Sequence, residues 1–170
     1  MSIDLSLFDN RPYPKNFPLV DPGDEGDGWE YDEVVRFYTG KSLSDITADA
    51  ITKDYRKDYT TAHHLMSSQA FNFFLPALMK VGLDNYVSGK GGNISLIADS
   101  LVNSFYEMAK GEMNYRLLPL LSSYTKKQLG EITKFLKQMY EIEYKYLDEL
   151  DYASQALDLF WNQFDKASDE

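Results

Sequence analysis

The chain has 170 residues and no cysteine, which is enough for one domain with a hydrophobic core and excludes disulfides and thiolate chemistry. Its hydrophobic content of 44% is typical of a globular protein. The sequence shows neither an apolar run long enough for a transmembrane helix nor a secretory signal, so we expect a cytoplasmic protein that does not bind membranes. The net charge of −10 disfavours direct nucleic-acid binding, because phosphate repels such a surface.

The first predicted element is an irregular segment over residues 1–28, called the arm below. Four of the six prolines lie between residues 9 and 28, and prolines interrupt regular secondary structure. The rest of the chain, residues 29–170, is assigned to one helical domain. The predicted fold is therefore an all-α, single-domain bundle of about six helices that is preceded by an irregular arm.

Helical periodicity and capping residues predict the first helices of this domain. Two helices are expected over residues 29–40 and 48–65, with Asp27 and Thr47 as their N-caps. A third, strongly apolar segment is expected to begin after Ser67 or Ser68. It contains Pro76, and since proline removes a helical hydrogen bond we expect a kink or two short helices there.

The second half of the chain predicts three more helices and one turn. The helices begin at the caps Asn93, Thr125 and Asp151 and span residues 93–110, 126–148 and 151–164. Thr125 and Gln128 form the T-x-x-Q pattern of a capping box, and Gly111 stands where a helix C-terminus favours glycine. The segment around Pro119 is predicted to be a buried turn.

The sequence does not match the motifs of phosphate-binding loops or of metal sites. Residues 39–42 (TGKS) imitate the end of a phosphate-binding loop, but the required earlier glycine is missing and a helix precedes them. His63 and His64 are adjacent, so a helix directs them about 100° apart, and no second histidine or Glu-x-x-His completes a metal site. We expect two surface histidines, and no metal or organic cofactor.

Two carboxylates are harder to explain, because Asp58 and Glu143 fall inside the apolar arcs of their predicted helices. A carboxylate in an apolar stripe needs a cation, hydrogen-bond donors or a changed pKa. One interpretation is a general acid–base pair in a pocket. The other, which we favour, is a structural role, through ion pairing with one of three arginines (Arg36, Arg56 or Arg116) or through hydrogen bonds from neighbouring tyrosine hydroxyls. No catalytic residue is therefore assigned.

The charge is concentrated at the two ends of the sequence. Residues 1–30 carry seven acids and two bases, and residues 141–170 carry nine acids and two bases. Two such ends are typical either of a solvated surface that keeps the protein soluble or of a protein that attracts a basic partner. We predict that the partner binds the C-terminal helices through seven residues, Glu141, Tyr144, Asp148, Glu149, Asp151, Tyr152 and Asp158. The acidic stretch over residues 21–27 is the rival surface.

Parts of the sequence resemble a family of small bacterial helical proteins of unknown function. The clearest block, residues 68–77, reads SQAFNFFLPA, and it is similar to the family pattern S-x-x-A-F-x-Y-Y-L-P-A. The other similar segments are residues 40–46, 125–136 and 156–161, so that the resemblance covers about residues 29–161. Leu43 stands where the family usually carries tryptophan. The resemblance implies a helical fold and provides no catalytic residues.

Three hypotheses about function remain open from the sequence. The first is an immunity or antitoxin protein that neutralises a basic toxin, such as a ribonuclease. The size and charge are similar to those of immunity proteins of contact-dependent growth inhibition. The second is a carboxylate-dependent enzyme that uses Asp58 or Glu143. The third is a scaffold or regulator with another protein partner.

Overall fold

A computed structural model of the protein describes residues 2–24, 28–88, 92–146 and 151–168. Within these ranges the helical sequence patterns form seven α-helices. No strand occurs within these ranges, so the predicted all-α fold is confirmed. The α-helices are α1 (Trp29–Tyr38), α2 (Ala48–Asp54), α3 (Ser68–Ser88), α4 (Leu96–Lys110), α5 (Asn114–Ser123), α6 (Lys126–Tyr146) and α7 (Tyr152–Leu159). Short 3-10 helices are Leu5–Leu7, Leu43–Asp45, Ala62–Leu65, Gly92–Ser95 and Trp161–Ser168.

Several helix ends follow the predicted capping residues. The capping box is formed: the Gln128 side chain accepts from the Thr125 amide at 2.8 Å, and the Thr125 hydroxyl accepts from the Gln128 amide at 3.3 Å. The Asp151 carboxylate accepts from the first turn of α7. Ser67 caps α3, and Gly111 ends α4 with a φ of 83°, a left-handed conformation that favours glycine.

Two predicted helices in the second half of the chain have different bounds. Asn93 is not the cap of α4, because the 3-10 turn Gly92–Ser95 precedes that helix. The predicted last helix, 151–164, ends at Leu159 and continues as a 3-10 helix. The proposed cap Asp27 lies outside the described residues, and α1 begins at Trp29 as predicted.

The predicted helix over residues 48–65 is wrong beyond Asp54. Its end is fixed by side chains of α1 rather than by a local breaker. The Arg36 guanidinium donates to the Asp54 carbonyl, and the Glu33 carboxylate accepts from the Arg56 amide at 2.6 Å. These tertiary bonds replace the bonds that a longer helix would form with itself.

Pro76 does not divide its helix, contrary to the expected kink or pair of short helices. It lies inside the continuous helix α3. A proline cannot donate to the carbonyl four residues earlier, which here belongs to Asn72. The Tyr124 hydroxyl donates to that carbonyl and so satisfies it from another part of the chain.

The segment around Pro119 is likewise helical, so the predicted buried turn is wrong. Pro119 lies within α5 and leaves the Tyr115 carbonyl without its helical donor. The Ser68 hydroxyl donates to this carbonyl at 3.4 Å. In both helices, a distant hydroxyl compensates for the missing amide, and the helix continues.

The core is centred on α3 and α4, which pack at very close range. An ideal Cβ placed on Gly82 of α3 would lie 2.7 Å from the backbone nitrogen of Ala98 in α4. The C-terminal segment closes the other side of the core, where Trp161 is fully buried and donates from its indole nitrogen to the Phe105 carbonyl at 3.0 Å. The Thr133 hydroxyl donates in turn to the Trp161 carbonyl.

The described part of the arm, residues 2–24, is irregular but packed against the helices. Ile3, Tyr13 and Val20 are buried. The Tyr13 amide donates to the Lys41 carbonyl at 2.9 Å. The arm therefore forms one wall of the surface described below.

No helix among the described residues combines the length and the apolar content needed to cross a bilayer.

Candidate binding surfaces

The predicted C-terminal binding face is exposed where the structure describes it. Glu141 near the end of α6, Asp151 before α7 and Asp158 within α7 all face solvent. Tyr152 is half-buried, and its ring stacks on Tyr106 of α4 at a centroid distance of 4.7 Å. Exposed carboxylates thus lie on α6, on α7 and directly before α7, and Tyr152 of α7 belongs to a stacked pair of tyrosines.

The other predicted residues of this face lie outside the described part of the structure. Asp148 and Glu149 fall in the undescribed segment 147–150, and the side chains of Glu143 and Tyr144 are not described either. The structural role predicted for Glu143 therefore stays a prediction.

Asp58 does not lie in an apolar stripe, because α2 ends before it. Its side chain is exposed in the following loop. The carboxylate accepts from the Thr60 hydroxyl at 2.6 Å and from the Thr60 amide at 2.9 Å. These bonds hold the pKa of Asp58 below its ordinary value. The ion pair predicted with an arginine is replaced by a local turn.

A buried carboxylate that sequence reasoning missed is Glu33, which is 5% exposed. It accepts from the Arg36 guanidinium at 2.6 and 2.8 Å and from the Arg56 amide. The bond from Arg36 is the main cause of its lowered pKa. The signal was its spacing of four residues from the buried Phe37, which places both side chains on the inner face of α1.

His63 is buried, contrary to the prediction of two surface histidines, whereas His64 is exposed. The 3-10 turn Ala62–Leu65 directs His63 inward, with its Nε2 3.3 Å from the Ser104 hydroxyl. Burial lowers the pKa of His63 well below its ordinary value, and the charges of His64 and Arg116 act in the same direction. His63 is therefore a neutral core residue near pH 7.

Arg116 beside this histidine is also buried, at 5% exposure. Its Nη2 donates to the carbonyls of His64 and Met66 at 3.1 and 2.6 Å, and its guanidinium lies over the Phe71 ring. The group therefore fastens the turn after α2 to α5. This differs from the predicted ion pairing of Arg116 with an apolar-stripe carboxylate.

The buried histidine predicts a loss of stability in mild acid. Because the pKa of His63 is lower in the folded chain than its ordinary value of 6.5, the unfolded chain binds the extra proton. Stability is complete above about pH 6.5 and falls as the pH decreases below it, by at most about 1.4 kcal/mol per pH unit for one group. Urea unfolding at pH 7.5, 6.5 and 5.5 measures this. The variant His63→Gln should show a flatter dependence; an unchanged slope would exclude His63 as its cause.

No group of three or more histidine, aspartate or glutamate side chains within the described ranges is arranged to hold a metal ion.

An aromatic groove of about 660 Å³ lies between the arm, α3 and the junction of α5 with α6. Its aromatic lining consists of Phe8, Tyr13, Phe17, Phe73 and Tyr124. Phe8 packs edge-on against Tyr124 at 5.4 Å, and Tyr13 packs edge-on against Phe73 at 5.2 Å. A concave apolar site of this size is the usual form of a small-ligand site.

Polar groups line the same groove at its base and rim. They are Asp9, Arg11, Gln69, Asn72, Ser123 and Gln128. The two charged groups neutralise each other, because the Arg11 guanidinium donates to both carboxylate oxygens of Asp9 at 2.6–3.0 Å. The groove as a whole carries no net charge.

A second cavity, of about 840 Å³, lies along α6 and is lined by charges of both signs. Lys134 pairs with Glu131 at 3.2 Å, and Lys137 pairs with Asp165 at 2.5 Å. Among the described residues, three lysines and four carboxylates line it, so this cavity has no large excess of either charge and favours neither an anion nor a cation.

Comparison with known families gives one match that covers most of the chain. A family model described as "Family of unknown function (DUF6714)" matches residues 24–165. No curated protein and no solved structure matches the chain. The matched range includes all seven α-helices and leaves out most of the arm.

Proposed function

We propose that this chain, which belongs to the family of unknown function DUF6714, is a non-enzymatic immunity protein. It binds a basic protein toxin, such as a ribonuclease, and thereby neutralises it. The complex forms in the cytoplasm, where a toxin of this class meets its nucleic-acid substrate.

The observation that carries the proposal is the set of exposed carboxylates on α6 and α7, together with a stacked tyrosine pair that involves α7. Glu141 and Asp158 are exposed and form no ion pair within the described ranges. Tyr152 of α7 is held on Tyr106 of α4. Such a face offers charge for long-range attraction and a rigid aromatic group for contact, and tyrosines are among the residues that most often dominate binding energy.

The partner's chemistry follows from complementarity. A nuclease needs a basic cleft to hold phosphate, and a protein with a net charge of −10 is attracted to such a cleft. Glu141 and Asp158 lie on α6 and α7, and a preorganised helical face loses little entropy on association. This point favours the C-terminal helices over the rival acidic stretch at residues 21–27.

The first test is co-expression with the product of each neighbouring gene, followed by purification through a tag on one partner. A stable complex of fixed stoichiometry with one basic product supports the proposal. If every neighbouring product is made in folded form and none binds, the immunity function is wrong.

Charge reversal on the proposed face should slow association with that partner. The reversed residues are Glu141→Lys, Asp148→Lys, Glu149→Lys and Asp158→Lys; Asp151 is left unchanged because its carboxylate caps α7. At low salt we expect the association rate constant to fall by about tenfold or more and its salt dependence to weaken. Stopped-flow mixing at several salt concentrations measures both.

A matched control separates the face from the overall charge. It carries the same change in net charge on two residues of the rival stretch and two exposed residues at the start of α1, as Asp21→Lys, Asp24→Lys, Glu30→Lys and Asp32→Lys. The control should retain most of the rate of the original protein. Equal slowing of both variants would mean that only net charge matters, and slowing of the control alone would move the binding face to the arm and α1.

A further inference from the structure

We propose that the aromatic groove is a binding site for a neutral aromatic group that carries one N–H or O–H hydrogen-bond donor, such as an indole, with Asn72 as the acceptor. This site is separate from the C-terminal acidic face, and the proposal does not depend on the immunity function.

The shape of the groove selects a flat apolar group. Its volume of about 660 Å³ lies within the range of sites for small molecules. Aromatic side chains come from three separate parts of the chain, the arm, α3 and the end of α5, so the walls are fixed by tertiary packing. Phe17 on the arm is still 43% exposed, and it gains buried area when a planar group lies against it.

The charge of the groove selects a neutral group. Asp9 and Arg11 are the only charged groups among the described residues that line it, and they form a closed pair with three hydrogen bonds. An incoming anion would have to compete with Asp9 for Arg11 or be placed among aromatic rings without a counter-charge, so an anionic ligand is disfavoured. A cation would find the carboxylate of Asp9 already paired with Arg11 and only ring faces to attract it, so the test below includes a cationic probe.

A buried acceptor without a partner in the described structure favours a ligand that carries a hydrogen-bond donor. The side-chain oxygen of Asn72 is buried and accepts no hydrogen bond in the described structure, although Asn72 lines the groove. An orphaned buried acceptor costs about 1–3 kcal/mol. This oxygen is barely accessible, so a small shift of the Asn72 side chain is needed before a ligand reaches it, and an N–H or O–H group that then donates to it recovers part of this cost.

The orientation of the Asn72 amide is fixed by its neighbour. Asn72 donates from Nδ2 to the Ser123 hydroxyl oxygen at 2.9 Å, and the Ser123 hydroxyl donates its own proton to the Pro119 carbonyl. Because that proton is already used, turning the amide around would place its oxygen opposite an oxygen with no proton to give. The acceptor, not the amino group, is therefore the unused group.

The other polar side chains at the groove are engaged or exposed, and Gln69 is exposed, so water can satisfy its amide. Both ends of the Gln128 amide are occupied, since its oxygen accepts from Thr125 and its nitrogen donates to the Leu7 carbonyl at 2.9 Å. The Tyr124 hydroxyl donates to the Asn72 backbone carbonyl that Pro76 leaves free. Asn72 is thus the buried group that can recognise a donor.

The test is an NMR titration of the ¹⁵N-labelled full chain with indole and, as a matched probe, with 1-methylindole, which lacks the donor. We expect both to shift amides in residues 8–17, 69–73 and 123–128, with indole bound about two- to twelvefold more tightly. Equal affinity in the original protein, shifts located elsewhere, or no shift at millimolar indole would each overturn the proposal. Tighter binding of the cationic tryptamine would overturn the claim that the ligand is neutral.

Two variants separate the acceptor from the aromatic walls. Asn72→Leu keeps the size of the side chain and removes the acceptor, so the preference for indole over 1-methylindole should disappear. Phe17→Ala should weaken both probes by a similar factor and leave the preference intact. A preference that survives in Asn72→Leu contradicts the assigned acceptor. Circular dichroism of each variant confirms that the helices are retained.

A further arm of the titration distinguishes the source of the aromatic group. A capped pentapeptide with a central tryptophan and four glycines carries the same indole on a peptide backbone. Tighter binding of the peptide than of free indole identifies a side chain of a partner protein as the ligand. Tighter binding of free indole identifies a small molecule. Because the titration uses no toxin, its outcome is independent of the test of the immunity function.

Discussion

Replacing Trp161 by alanine should lower the free energy of unfolding by about 3–5 kcal/mol, the usual range for a large aromatic residue lost from a core. The side chain is fully buried, with ring contacts to Phe105 at 5.2 Å and Phe160 at 5.1 Å. Its indole nitrogen also donates to the Phe105 carbonyl. The variant leaves a cavity where the C-terminal 3-10 helix meets α4 and α6, so we expect loss of that contact first.

The only other tryptophan of the chain provides a matched control. Trp29 is 68% exposed at the start of α1, with the Lys57 ammonium over its ring. Trp29→Ala should change stability by less than about 1 kcal/mol, because little apolar area is lost from the core and an exposed cation–π contact is weak. Urea unfolding followed by far-ultraviolet circular dichroism compares both variants without a tryptophan signal. Equal stabilities for the two would contradict the assigned burial.

Replacing Gly82 by alanine should destabilise the protein by about 2–3 kcal/mol, although alanine is the better helix former. The new methyl group would lie 2.7 Å from the Ala98 backbone nitrogen and 2.9 Å from the Ala98 side chain. Neither atom belongs to a flexible side chain, so α3 and α4 must move apart. That separation would loosen contacts along both helices.

The same substitution at Gly130 of α6 is the control. An ideal Cβ there would lie 3.4 Å from the Phe164 carbonyl oxygen, which is ordinary contact. Gly130→Ala should therefore be neutral or stabilise the protein by up to about 1 kcal/mol through helix propensity. Thermal unfolding of the two variants side by side tests the difference. A Gly82→Ala variant as stable as Gly130→Ala would mean that the two helices do not approach as closely as described.

The parts of the fold that were predictable from sequence depend on short-range interactions. The capping box of Thr125 and Gln128 closes within four residues, and the glycine after α4 needs only its own left-handed conformation. The apolar arc of α4 also follows from spacing alone, and its members Ile97, Leu101 and Phe105 are buried. Such features need no knowledge of which segments meet.

The sequence predicts the wrong helix bounds where a group from a distant part of the chain replaces a local backbone hydrogen bond. Local sequence predicts breaks at Pro76 and Pro119. However, the carbonyls that lose their helical donors, those of Asn72 and Tyr115, accept from Tyr124 and Ser68, which lie about 50 positions away in sequence. The early end of α2 likewise depends on Arg36 of α1. No local pattern indicates these partners, because each exists only after the chain has folded.

The two proposed binding surfaces also differ in whether the sequence alone could predict them. The acidic C-terminal face was visible in the sequence as a run of carboxylates, because charge is a property of composition. The aromatic groove was not visible, since its walls come from residues 8–17, 69–73 and 123–128. Likewise, nothing near His63 in sequence indicates its burial against Ser104 of α4.

The central claim, that the chain neutralises a basic toxin, is tested most directly by a nuclease assay. The purified basic product of the neighbouring gene is given RNA or DNA while this protein is added in steps. We predict that cleavage falls in proportion to the added protein and stops near an equimolar ratio, because one chain covers one active cleft. Cleavage that continues unchanged at a tenfold molar excess of this protein would contradict the account.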